Sequence, residues 1–272
     1  MAFSVLNILF SSYFVLSLNL NVFGAALGTM IASYTTALIF IIIIHKHIKN
    51  KFQIIPKFEK VFNPSKVIRL LKINFDIFIR TLFLTFSFLW ITYQSSKLGE
   101  DFVAVNAILM QFVILSAFFL DAYAFTAEGM VGYTLGKRNK KSFLQVVKNT
   151  IQISFFTSVI ISIFFLIFFK EMINILTDIE LLRFISYSYI LWIVIIIPTS
   201  SFCYQLDGIF IGSSQTKDLR NAMMISVTVF IVISFYFVKY FDNHGLWLSL
   251  FLFMILRSLT LKYFFNNILR KF

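Results

Sequence analysis

The chain is a succession of long apolar runs separated by short clusters of charge, Gly, Pro and Asn. Several runs approach the roughly 20 residues that cross a hydrocarbon core as a helix. Read against that punctuation, the pattern predicts eight spans at about 2–19, 22–44, 73–95, 102–134, 146–169, 183–212, 219–239 and 244–264. The fourth and sixth are long enough to tilt or protrude. The predicted fold is therefore all-α, a polytopic transmembrane helical bundle.

One polar stretch is long. Residues 46–72 are basic, contain Pro56 and Pro64, and read as a cytoplasmic linker between two structural units, 1–45 with two spans and 73–272 with six. The ends of the two units echo each other. Gly24-Ala25-Ala26-Leu27, an apolar helix and His45-Lys46 parallel Gly245-Leu246-Trp247-Leu248, an apolar helix and Lys262, and Asn7 and Asn221 open the preceding spans. This suggests a parallel repeat whose first copy lacks its beginning.

Charge supports the span count independently. Lys46, Lys49, Lys51, Lys57, Lys60, Lys66, Arg69 and Lys72 follow the second span, and Lys137, Arg138, Lys140, Lys141 and Lys148 follow the fourth. Lys217 and Arg220 follow the sixth, and Lys262, Arg270 and Lys271 end the chain. Eighteen of the 24 basic residues thus fall on one side. Lys97, Lys170, Arg183 and Lys239 lie on the other with Glu100, Asp101, Glu171, Asp178, Glu180 and Asp242. The positive-inside rule puts the basic side and both termini in the cytoplasm. Topology and anionic lipid then explain the net charge of +12, and no nucleic-acid partner is needed. Composition agrees: 59% hydrophobic, mean hydropathy +0.87, and 13% charged, against roughly 25% charged for a soluble domain.

Against that background, an ionisable group within a span costs about 2.5–3.5 kcal/mol and should meet a cavity or a partner. Six qualify: Asp76, Arg80, Asp121, Glu128, Asp207 and Arg257. Asp76 and Arg80 are four apart, the spacing of a helical ion pair, structural or gating. Asp121 and Glu128 lie two turns apart on one face, roughly 10 Å along the helix, with Asn106 and Gln111 on the same span. Asp121 reads as a proton-relay or cation site, and Glu128 as a lid or interface group. Asp207 follows Pro198-Thr199-Ser200-Ser201 within Tyr204-Gln205-Leu206-Asp207-Gly208, which predicts a kinked helix with freed carbonyls presenting a carboxylate. Asn106, Tyr204 and Gln205 are candidate cavity-lining residues. Arg257, late in the last span, is expected to snorkel to the inner surface. Asp207 and Asp121 are expected to change protonation as the cavity opens, because a lone buried carboxylate prefers to be neutral.

Other chemistry is sparse. Cys203 sits in an apolar run and reads as a small buried hydrophobe. His45, His47 and His244 lie in flanking segments, no phosphate loop or clustered Asp motif appears, and neither an enzyme active site nor a metal or cofactor site is expected. Met1 to Leu20 lacks a basic n-region and reads as a span.

Four blocks of residues resemble a known family. Asn74-Phe75-Asp76-Ile77-Phe78-Ile79-Arg80-Thr81-Leu82 resembles the start of the seventh helix in the DNA-damage-inducible protein F branch of the multidrug-and-toxin-extrusion transporters. Val105-Asn106-Ala107-Ile108-Leu109 through Leu120-Asp121-Ala122-Tyr123-Ala124-Phe125-Thr126-Ala127-Glu128 to Gly132 is similar to the same branch, with Ala122 where it usually has glycine. Leu206-Asp207-Gly208-Ile209-Phe210-Ile211-Gly212 and Asn243-His244-Gly245-Leu246-Trp247-Leu248 follow in order, and Gly24 to Ala32 resembles the sixth helix.

The resemblance implies a twelve-helix inner-membrane exporter of two six-helix bundles that expels organic, often cationic, compounds in exchange for H⁺ or Na⁺. It places Asp76, Arg80, Asp121, Glu128 and Asp207 at family motif positions. It also implies that 73–272 is the complete second lobe, and that about four helices precede the family's equivalent of Met1. On that reading the chain alone is expected to be inactive and to need a separate N-terminal fragment as partner, besides membrane lipid and small organic substrates. The alternatives are a lipid-linked oligosaccharide flippase of the same superfamily, for which only Arg80 and Arg257 are available, a membrane transferase or protease, and a non-transporting membrane subunit.

Overall fold

The computed structural model describes residues 2–52, 63–270 and 272. The middle of the predicted linker, with Pro56, Lys57 and Lys60, lies outside the described residues, as does Lys271. The described residues are helical almost throughout. The first helix, α1 (Ala2–Ser12), runs into a π-helical turn at Tyr13–Ser17 and is followed by α2 (Asn21–Phe52). Then come α3 (Pro64–Leu98), α4 (Glu100–Gly136), α5 (Lys140–Leu176), the short α6 (Glu180–Tyr187), α7 (Ile190–Gly212) and α8 (Thr216–Leu269).

Six of these helices are long and apolar enough to cross a membrane, and Phe3–Ser17 is a shorter apolar segment. Straight, the 54 residues of α8 would extend about 81 Å, far beyond a hydrocarbon core of about 30 Å. The helix is broken at Asp242, whose φ of 46° and ψ of −132° suit a turn rather than a helix. Across the break Gly245 lies so close to the Phe237 carbonyl that a Cβ would sit 2.0 Å from its oxygen. The two halves, with α6 and α7 taken together, account for the eight predicted spans.

Local chemistry sets several ends. Pro64 occupies the first position of α3 while Asn63 Oδ1 accepts from the Ser65 amide at 3.1 Å and the Ser65 hydroxyl at 2.6 Å. Asn139 caps α5 through the Ser142 amide at 3.0 Å. Glu100 and Asp101 stand in the first turn of α4, where the helix dipole favours negative charge. Both α2 and α3 continue as helix beyond their apolar residues, to Phe52 and from Pro64, into the segment expected to be linker. Apolar length locates the membrane, not the helix end.

The chain divides into two compact units, Met1–Val67 and Ile68–Phe272. In the first, α1 and α2 form a hairpin on a small-residue stripe. A Cβ at Gly28 would meet Ser11 at 2.6 Å, one at Gly24 would meet the Phe14 backbone at 3.0 Å, and Ala32 and Thr36 continue the face buried. Asn7 Oδ1 accepts from Ser11 at 2.8 Å and Thr29 at 3.3 Å, which satisfies a polar group that lipid would not.

In the second unit, α7 is packed among α4, α5 and α8. Gly208 and Gly212 permit this. A Cβ on either would lie 2.3 Å from a carbonyl oxygen of α4, that of Ala124 or of Glu128. Apolar packing there forms two clusters. The first includes Val105, Phe112, Phe165, Cys203, Met254 and Trp247; the second includes Ala127, Val131, Phe143, Leu206, Ile209 and Leu261. Cys203 is fully buried and donates to the Ser200 carbonyl at 3.1 Å, as a small core hydrophobe. Large side chains such as Phe118, Phe125, Phe156 and Ile160 face outward, as lipid-facing residues should.

Candidate functional site

Between the two apolar clusters lies a charged layer. On α7 the first cluster ends at Cys203 and the second begins at Leu206; on α8 they are separated between Met254 and Leu261; on α4 between Val113 and Ala127. Arg257 and Asp121 occupy those intervals on α8 and α4, Asp207 follows directly after Leu206 on α7, and Arg80 enters from α3.

Asp207 is the centre of the layer. Its Oδ2 accepts from the Arg257 guanidinium at 2.6 Å and from the Arg80 guanidinium. Arg257 is 1% exposed, with its guanidinium 5.8 Å above the Tyr204 ring and 5.6 Å from that of Phe253. The expectation that Arg257 snorkels outward is therefore wrong. Position along a helix does not reveal which face is buried, and a buried guanidinium is tolerated once a carboxylate offsets its charge.

Asp76 and Arg80 do not pair with each other. Asp76 accepts from Arg220 at 2.6 Å and from the Thr216 hydroxyl at 3.2 Å, joining α3 to the start of α8. The i,i+4 pair lost to tertiary partners because such a pair on a helix contributes only about 0.2–0.5 kcal/mol. Asp207 is likewise not a lone carboxylate, and it does not sit on a broken helix. The backbone of α7 is helical from Ile190 to Gly212, and the interruption of that span is at Ser188–Tyr189. The carbonyl that Pro198 deprives of its amide partner is that of Val194, and Ser162 of α5 donates to it at 2.5 Å. That carbonyl is therefore already engaged.

Asp121 is half-buried and makes no hydrogen bond or ion pair with any described residue, yet the charges of Asp207, Arg80 and Arg257 reach it. Two guanidiniums and two carboxylates thus make up the layer, with one carboxylate unengaged. Atoms within it are also unpartnered: Asp207 Oδ1, Arg80 Nε and Arg257 Nε are buried without a hydrogen bond. Glu128 is half-exposed two turns further along α4 and has no partner among the described residues.

The three expected cavity-lining residues diverge. Tyr204 is half-buried beside Arg257. Gln205 is fully buried and bonds the Leu120 carbonyl at 3.3 Å and Ser154 at 3.2 Å, which ties α7 to α4 and α5. Asn106 is 3% exposed and belongs to a closed knot: it donates to Ser95 at 2.7 Å and Asn243 at 2.6 Å and accepts from Trp247 at 2.9 Å. Asn106 therefore joins α3, α4 and α8. His244 accepts from Trp192 at 3.1 Å and stacks on Tyr189, another tie between helices rather than a loop residue.

Membrane-crossing helices that enclose a charged layer define a lobe of a multi-pass membrane transporter. The chain belongs to the MatE family, the multidrug-and-toxin-extrusion transporters, whose defining pattern matches residues 77–237. It is 33% identical over 258 residues to DNA damage-inducible protein F of Escherichia coli (strain K12), an alignment covering 95% of this chain and 56% of that protein. It is 23% identical over 256 residues to Protein DETOXIFICATION 43 of Arabidopsis thaliana, covering 94% and 47%. Among solved structures, the Vibrio cholerae MATE transporter VcmN in the bent form superposes with a TM-score of 0.83 at 18% identity, covering 99% of this chain and 61% of that one. An outward-facing multidrug resistance MATE family transporter of the MOP superfamily gives 0.86 at 16%, with the same coverage. The fold is that of these transporters, which are not enzymes. The chain spans about half the length of the curated relatives it matches.

Proposed function

We propose that this chain forms the coupling lobe of a secondary active antiporter that exports organic, often cationic, compounds in exchange for H⁺ or Na⁺. The supporting observation is the unengaged carboxylate of Asp121 beside a carboxylate already shared by two arginines. With both acids charged the layer is neutral. A proton or Na⁺ taken up at Asp121 leaves it net positive, which disfavours an organic cation there, and loss of that ion restores the site. Mutually exclusive occupancy is the requirement for exchange. Asp207, Arg80 and Arg257 hold the field in which Asp121 works; Glu128 stands on the path to the basic end. A flippase reading would need free cationic groups for an anionic lipid head, and both intramembrane arginines are engaged with Asp207.

The proposal places the basic side, and both termini, in the cytoplasm of a plasma (inner) membrane. It applies to the transporter at its relatives' length. A separately encoded N-terminal segment is the partner it requires where the same polypeptide does not supply one. In a transporter completed by the preceding segment of the E. coli relative, Asp121→Asn should lower H⁺- or Na⁺-driven ethidium efflux at least about tenfold, a loss of roughly 1.4 kcal/mol of coupling. Undiminished gradient-driven efflux at equal membrane abundance would rule the proposal out.

A further inference from the structure

The basic end of the second unit carries a feature that antiport does not use. A hollow of about 660 Å³ opens between α3 and the start of α8. Asp76, bonded to Arg220, lines it, so one cation is already matched by one anion. Lys72 and Lys217 also line it, are exposed, and have no hydrogen bond or ion pair with any described residue. The hollow therefore keeps two uncompensated positive charges on the basic side of the membrane.

Its remaining wall is apolar. Ile68, Leu71 and Phe75 line it and are 52%, 60% and 59% exposed. Further along α3 a second, almost purely apolar groove of about 440 Å³ is lined by Leu82, Phe86 and Leu89, among others. Residues 75, 82, 86 and 89 are spaced by seven, four and three, so they share one face of the helix. From 75 to 89 that face extends about 21 Å at 1.5 Å per residue. A cationic pocket at one end of an apolar track, on the side where anionic headgroups collect, matches one kind of molecule.

We propose that this face of α3 binds an anionic glycerophospholipid, its phosphate between Lys72 and Lys217 and an acyl chain laid along Phe75, Leu82, Phe86 and Leu89. An organic cation is excluded from the pocket by the same two lysines. A zwitterionic lipid satisfies the track but brings no net charge to match them.

The test is native mass spectrometry of the purified 272-residue chain in detergent, titrated with phosphatidylglycerol or with phosphatidylcholine of identical acyl chains. Phosphatidylglycerol should bind more tightly. Lys72→Gln/Lys217→Gln should weaken its binding about 9- to 25-fold, at roughly a threefold to fivefold loss for each surface lysine removed, and leave phosphatidylcholine unchanged. Leu82→Ser/Phe86→Ser should weaken both lipids. Lys140→Gln/Lys141→Gln removes the same charge from exposed positions outside the hollow and should change neither. Equal affinity for the two lipids, equal loss in the two lysine variants, or displacement of bound phosphatidylglycerol by millimolar inorganic phosphate, the mark of a free-anion site, would each overturn the proposal.

Discussion

At the scale of single residues, the protein differs from a merely apolar bundle in a handful of charged side chains and in how each is matched. Asp207 offsets two guanidiniums, one of them fully enclosed. Removing one member of a buried ion group costs about 3–5 kcal/mol because the other charges stay behind unmatched. Asp207→Asn should therefore lower the unfolding free energy of the detergent-solubilised chain by about that amount. Adding Arg257→Met should recover part of it, since Arg80 alone is exposed enough, at 16% of its side chain, to turn toward water. Equal stability of Asp207→Asn and the parent chain would show that the layer is hydrated rather than locked.

Sequence made the identity of these residues legible but not their pairing. Asp76, Arg80, Asp121, Asp207 and Arg257 stand out because charge in an apolar run is rare. Partnership depends on which helices meet, and the partner of Asp207 lies 127 residues away in one case and 50 in the other. The four-residue spacing of Asp76 and Arg80 was the only local signal, and stronger tertiary bonds replaced it. The Asn106 knot was hidden for the same reason: Ser95, Asn243 and Trp247 come from two other helices.

At the scale of elements, glycine decides where helices touch. Gly208 and Gly212 bring α7 against α4, which carries Asp207 to the level of Asp121. Alanine is the better helix former by about 0.5–1 kcal/mol, so Gly208→Ala should stabilise α7 if only the helix mattered. Its Cβ would instead meet the Ala124 carbonyl oxygen at 2.3 Å, and the overpacked variant should lose about 1–3 kcal/mol. Gly129→Ala on α4, where a Cβ meets nothing within 4 Å, should be neutral or stabilising. Thermal denaturation of the two variants side by side decides the matter; equal shifts would contradict the packing described for α4 and α7.

The helices themselves were well predicted because apolar run length is a local property that the bilayer imposes. Helix ends were not, since α2 and α3 continue on propensity and capping beyond the apolar residues. The freed carbonyl expected from Pro198 is present but not left open. A proline frees one carbonyl, but Ser162 of another helix takes it up, and the hydroxyls of Thr199, Ser200 and Ser201 bond carbonyls within α7.

At the scale of the whole molecule, two well-packed apolar clusters lie on either side of a charged layer. In the proposed orientation, which follows the positive-inside rule, the asymmetry of basic residues also gathers Lys72 and Lys217 where anionic lipid is richest. The MatE family and its solved structures supply the fold in which such a lobe works. Under the proposed function, exchange depends on Asp121 being available to one cation at a time.

The most direct measurement of that dependence is ion release on binding. Tetraphenylphosphonium added to the completed, purified transporter in weakly buffered solution should bind and displace a proton, seen as acidification, or Na⁺, seen with a sodium electrode, and Asp121→Asn, which holds the layer net positive as an occupied Asp121 would, should bind it more weakly and displace neither. Binding that releases no ion, or release that persists in Asp121→Asn, would contradict the account.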